Sequence, residues 1–167
     1  MKVKTKKILV AGIGNSFRSD DRAGLLVCDL IDDALKSAPL KAVIDIKKLS
    51  GEGTELMQEW EDYELVFLAD ASRNFGNTGK LTRIDAANTP LQQDYFHYSS
   101  HNFSVAEAVE LSRQLGSLPK RLIVYAIEGK NFAHGVEITD EVEVSCLNAA
   151  RKILEEITIA PEKHNFF

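Results

Sequence analysis

The stretch KKILVAGIGNSFRSDDRAGLLV, residues 6–27, decides how the fold is read. Lys7 to Ala11 is a short apolar run of the kind that forms a fully buried strand, and Gly12 and Gly14 give the backbone freedom to turn sharply after it. From Arg22 to Ser37 the apolar residues Leu25, Leu26, Cys28, Leu30, Ile31 and Leu35 recur with the 3.6-residue period of an amphipathic helix. Strand, glycine turn and helix have the outline of a dinucleotide phosphate loop, but two features oppose that use. Phe17 stands where the third glycine of such a fingerprint would permit close helix–strand packing, and the adjacent Asp20 and Asp21 would repel a pyrophosphate. Carboxylates at that place are at home capping the free N–H groups of the helix.

Outward from this unit the chain continues to alternate. Lys41 to Lys48 reads as a strand with one wetter face, and Thr54 to Trp60 as a short helix with Thr54 as its cap. Glu64 to Ala69 is a second buried strand that ends at Asp70. Asn74 to Gly79 (NFGNTG) is a turn cluster, and Lys80 to Asp85 alternates like an antiparallel edge strand after a tight reversal. Phe103 to Leu115 carries a further helical stripe, Arg121 to Ile127 is the last strand, Glu128 to Gly135 a loop, and Thr139 to Ile157 a long helix with Thr139 as cap. Strands alternating with helices predict an α/β sandwich with a mainly parallel sheet.

With 167 residues the chain suits one core, placed at residues 1–160 with 161–167 as a disordered tail. A net charge of −5 and a pI near 5.4 oppose nucleic-acid binding, and Lys2, Lys4, Lys6 and Lys7 are too few to reverse that. The apolar run Ile8 to Ala11 is too short for a signal peptide or a membrane span, so a cytoplasmic protein with no membrane partner is expected. Cys28 and Cys146 lie in helix-period patterns and read as small buried side chains in a reducing compartment. Size alone suggests a monomer.

In open α/β sheets ligands collect at the carboxyl ends of the strands. The first strand leads there to Asn15, Asp20 and Asp21, the third to Asp70, Ser72 and Arg73, and the last to Glu128 and Gly129, while His101 follows the fourth. Singly these have ordinary explanations: a helix cap for Asp20 or Asp21, a solvated strand end for Asp70, a loop or cap residue for His101. Together an acid of the Asp20–Asp21 pair, Asp70 and His101 supply two carboxylates and an imidazole, a plausible ligand set for a divalent transition metal with open positions. His97 reads as a surface or packing residue, and His134 and His164 fall in a loop and a tail. The Gly-x-Ser-x-Gly elbow, the His-Glu-x-x-His helix and the Walker lysine loop are missing.

The stretch Gly12-Ile13-Gly14-Asn15 with Asp20-Asp21, the strand ending Ala69-Asp70-Ala71, the block from Phe96 to Ala108 (FHYSSHNFSVAEA), and Val124 to Lys130 (VYAIEGK) together resemble the nickel-iron hydrogenase maturation endopeptidases. The resemblance covers nearly the whole chain and keeps the family's order. It implies a three-layer α/β/α sandwich on a five-stranded mixed sheet with one antiparallel strand. It also implies a cytoplasmic protease that removes the C-terminal extension of a hydrogenase large-subunit precursor once nickel is inserted. Asp21, Asp70 and His101 match the family's metal-binding positions and would be both metal ligands and catalytic residues. The nickel would be borne by the substrate, and other divalent metals could substitute for it. Substrate contacts would fall at Gly51, Gly53 and Thr54, although Leu49 to Thr54 (LSGEGT) differs from the commoner aspartate before Gly-Gly-Thr. Asp21 replaces a glutamate of some members, Arg22 a frequent glycine, and Ser72-Arg73 could alter which large subunit is accepted. The competing reading is a non-catalytic, metal-dependent binding protein or chaperone for the same precursor. A third, a dinucleotide-binding regulator, would require a thermal shift with NAD, which is not expected.

Overall fold

The computed structural model describes residues 7–96 and 103–160. Within them β1 (Lys7–Ile13) passes through a 3-10 turn (Ser19–Arg22) into α1 (Ala23–Ser37), followed by β2 (Val43–Leu49), α2 (Gly53–Trp60) and β3 (Leu65–Ser72). After them come β4 (Leu81–Asp85), α3 (Val105–Leu115), β5 (Arg121–Glu128) and α4 (Asp140–Ile159). The five strands form one sheet in the order β2-β1-β3-β5-β4. All neighbours are parallel except β4, which runs antiparallel to β5 at the edge.

Side chains alternate across a strand, so β1, β3 and β5 feed two cores at once. Ile8, Val10, Phe67, Ala69, Ile123 and Tyr125 pack beneath Val27 and Ile31 of α1 and Val142, Cys146 and Ile153 of α4. Leu9, Ala11, Val66, Leu68, Leu122 and Val124 pack on the other face beneath Leu56 and Trp60 of α2 and Val105 and Val109 of α3. Helices on both faces complete the expected three-layer α/β/α sandwich, and burial on both sides is why β1, β3 and β5 are continuous apolar runs. Cys28 and Cys146 are free and buried, and burial pushes their thiols up to about 11 and about 12 respectively. None of the described helices is long and apolar enough to cross a membrane.

Several expectations of detail are corrected. β3 runs on to Ser72, because Asp70 pairs with Ala126 and Ser72 with Glu128, so Asp70 lies inside the strand. β4 is the antiparallel edge strand that was expected, and its partner is β5. The α2 cap is Glu52, not Thr54: its carboxylate accepts the backbone N–H groups of Thr54 (3.0 Å) and Glu55 (2.9 Å). Thr139 stands at the N-cap position of α4, yet its side chain makes no cap bond to the helix. α3 begins at Val105, where Ser104 and Glu107 close a capping box. Residues 161–167 lie outside the described part.

From β1 the chain moves outward to β2, then crosses back to β3 on β1's other side. That reversal makes the crevice above the carboxyl ends of β1 and β3 the switch point where such sheets hold ligands.

Candidate active site

Glycines bring the β1–α1 loop to the switch point. A Cβ on Gly12 would lie 2.1 Å from the carbonyl oxygen of Gly24, and one on Gly24 would lie 2.1 Å from that of Ala69. The first turn of α1 is therefore seated directly on the backbone of β1 and β3, and Gly24 does the close packing that the fingerprint position at Phe17 lacks. The purpose of Gly12 is close approach, not turning freedom. Gly14 has φ +154°, and a Cβ there would strike the carbonyl of Asp21 at 1.9 Å. The loop closes on itself as Asn15 donates its N–H to the Asp21 carbonyl (3.3 Å) and accepts that of Phe17 on its side chain (2.9 Å).

This folding sets Asp21 beside Asp70. Asp70 is 6% exposed, and its place in β3 turns it to the α2–α3 face with Val66 and Leu68. Burial, then the Asp21 carboxylate, raise its pKa well above that of an ordinary aspartate, against one backbone N–H at Ala71. Asp21 is also raised, chiefly by burial, with Arg18 and the Asn15 N–H pulling the other way. Two partly desolvated carboxylates so close are costly in the free protein, and a cation placed between them would relieve both burial and repulsion.

The third expected ligand, His101, lies outside the described residues, as does His97. The chain on either side of residues 97–102 is held at this crevice. Phe96 bridges to Ser72, two residues beyond Asp70, and Phe103 accepts the N–H of Gly53 (2.9 Å). Among the described residues no three His, Cys, Asp or Glu side chains are grouped to hold a metal. Gly51 (φ +87°) packs on Ile13, and Gly53 lies against the Phe103 ring, where a Cβ would come within 2.5 Å. Both glycines thus shape the wall between β2 and the approach to α3, with Thr54 exposed beside them. His134 is exposed in the β5–α4 loop.

Asp20 does not cap α1. It is wholly buried, and its carboxylate accepts the N–H groups of Lys130 and Asn131 (both 2.8 Å) and the N–H and hydroxyl of Thr139 (2.7 and 2.8 Å). Glu128, at the end of β5, accepts the N–H groups of Phe75 (2.7 Å) and Asn77 (2.6 Å) and so shapes the turn before β4. Both roles depend on partners distant in sequence; the only local signal was an acid at a strand's carboxyl end.

A doubly covered, mainly parallel sheet with two carboxylates at its switch point, both raised by burial and Asp70 further by Asp21, is the build of an α/β protein whose site suits a cation. The model of the hydrogenase maturation protease family (HycI) matches residues 44–156, and the chain belongs to that family. It is accordingly a peptidase, not a non-catalytic binding protein. Solved structures share the fold. The maturation protease HycI of Thermococcus kodakarensis KOD1 is 21% identical, with 92% of this chain and 93% of that one covered and a TM-score of 0.63. The maturating endopeptidase HybD of E. coli is 19% identical over 92% and 93%, with a TM-score of 0.67. A second endopeptidase, from Escherichia coli, is 20% identical over the same shares, with a TM-score of 0.72. Comparison with curated proteins returns no significant match.

Proposed function

We propose that this maturation protease cuts the C-terminal extension from a nickel-iron hydrogenase large-subunit precursor and recognises the nickel already held there. The observation that carries the reading is the Asp21–Asp70 pair at the switch point of the sheet, two carboxylates whose ionisation burial disfavours, Asp70's the more for having Asp21 beside it. Asp21, Asp70 and His101 complete the coordination of the substrate-borne nickel, which fixes the scissile bond by proximity. Held by these residues, the metal would supply Lewis-acid polarisation of the scissile carbonyl or of a water, with one carboxylate as base. Of the three residues expected to contact substrate, Thr54 is exposed to the incoming extension, while buried Gly51 and Gly53 shape the wall behind it against Ile13 and Phe103. The anchoring of Phe96 and Phe103 on either side supports the assignment of His101.

The test is a mobility shift on a denaturing gel after mixing the protein with nickel-loaded precursor. Wild-type protein shortens the precursor and leaves nickel-free precursor whole. Asp21→Ala and His101→Ala keep native circular dichroism but leave the precursor uncut. Normal cleavage by either variant would sink the assignment.

A further inference from the structure

We infer that Asp20 is a positioning residue for the cleavage, acting through Asp21. The inference rests on the site reading above and extends it to a buried acid that touches no substrate.

Asp21 lies in the short 3-10 turn Ser19–Arg22, and the stretch that joins this turn to β1 belongs to no strand or helix, so contacts from elsewhere must hold it. It is held by the β5–α4 loop, more than a hundred residues later. Ser19 donates its N–H to the carbonyl of Gly135 (3.0 Å) and Asp20 its N–H to that of Asn131 (2.9 Å), while Gly135 donates back to Phe17 (2.9 Å). Side chains extend the seam, as Arg18 donates to the Phe132 carbonyl (3.2 Å), Ser19 to that of Ala133 (3.1 Å) and Arg22 to that of Val136. The seam forces Ser19 into the left-handed region at φ +45°, the single non-glycine residue with positive φ among those described.

The Asp20 carboxylate is the centre of that seam. It is wholly buried and faces three backbone N–H groups and one hydroxyl, all donors. Such a carboxylate draws residues 130, 131 and 139 into a ring around itself. That ring fixes the direction in which the next residue, Asp21, leaves the turn. A site built on a loop gains precision only when its supports are locked, and here the lock is one residue from the proposed ligand.

Asp20→Asn keeps the shape but turns an amide NH2 toward groups that are themselves donors, so the ring must open. With nickel-loaded precursor, kcat is expected to fall ten- to hundredfold, the order of loss that small misplacements of reacting groups produce, with KM within about twofold. Amide hydrogen exchange should quicken at residues 15–22 and 129–139 and stay slow in β1, β3 and β5. Thr139→Val, which removes one of the four donors, should show the same pattern more weakly, and Thr139→Ser should restore kcat. Arg83→Ala, which breaks the Arg83–Glu156 pair between β4 and α4, is the control for destabilisation alone: it should lower Tm without lowering kcat. Wild-type kcat in Asp20→Asn and Thr139→Val beside an inactive Asp21→Ala would overturn the positioning role alone. Full activity of Asp21→Ala would overturn the site reading and the positioning role with it. If Asp20→Asn does not fold, the Thr139 pair and the exchange pattern decide.

Discussion

Asp70 is an acid that the fold prefers protonated. Its pKa is raised by burial and by Asp21, so between the ordinary aspartate value of 3.8 and its own higher one the native state holds a proton that the unfolded chain has lost. Stability therefore falls as pH rises through that window, the opposite of a salt-bridged carboxylate. Asp70→Asn removes the buried charge and the repulsion, and is expected to raise Tm by a few degrees at neutral pH, at about 2–4 °C per kcal/mol for a chain of this size. The same variant should leave the precursor uncut, the trade between stability and activity usual at strained sites. Scanning calorimetry and the cleavage gel check the two halves; a lower Tm would contradict the electrostatic account. Metal ligation also requires the deprotonated acid. In wild-type protein kcat/KM should accordingly rise with pH over a range above that of an unperturbed aspartate, and a rate profile measured on nickel-loaded precursor reads that limb.

At the scale of elements, the seat of α1 on the sheet is the feature most sensitive to a single atom. Alanine in place of Gly24 gains helix propensity of at most about 1 kcal/mol. Against this, its Cβ would lie 2.1 Å from the Ala69 carbonyl and 2.4 Å from that of Ile13, both backbone atoms that cannot swing aside. The clash wins, α1 must lift, and Gly24→Ala is expected to cost about 1–3 kcal/mol and to lower cleavage as Asp21 is displaced. For α2 the cap decides. Glu52→Ala leaves two N–H groups without their acceptor and should cost about 1 kcal/mol, whereas Thr54→Ala, which offers the cap only its backbone N–H, should leave Tm nearly unchanged. Thermal unfolding of the two variants side by side tests the reassignment.

For the molecule as a whole, the question is whether two cores on one sheet behave as one domain. Trp60, the single tryptophan, is buried at the end of α2 in the core that α2 and α3 cover, and Ile153 is buried on the opposite face in α4. Neighbouring residues of β1, β3 and β5 belong to opposite cores, so neither face can loosen without disturbing the strands that support the other. Ile153→Ala should cost about 2–5 kcal/mol and shift the Trp60 fluorescence midpoint in urea together with the far-UV circular dichroism midpoint. Separate transitions would show that residues 7–160 are not one cooperative unit.

The α/β class, the order of elements and the three buried strands were legible in the sequence. Apolar period and run length follow from burial, and burial on two faces leaves an unbroken run in β1, β3 and β5. Asp21 and Asp70 were legible as acids at strand ends, and the resemblance of the quoted motifs pointed to the family that the match over residues 44–156 then established. Tertiary structure alone decided what surrounds each acid. Asp20 and Asp21 are adjacent and chemically identical, yet one is enclosed by donors from residues 130–139 and the other is placed beside Asp70. Likewise Gly24 is the packing glycine because of where Ala69 lies, and β4 pairs with β5 because the chain crosses the sheet before returning. Periodicity records how a residue meets its own element, whereas hydrogen-bond partners and pKa depend on segments a hundred residues away that only the folded chain brings together.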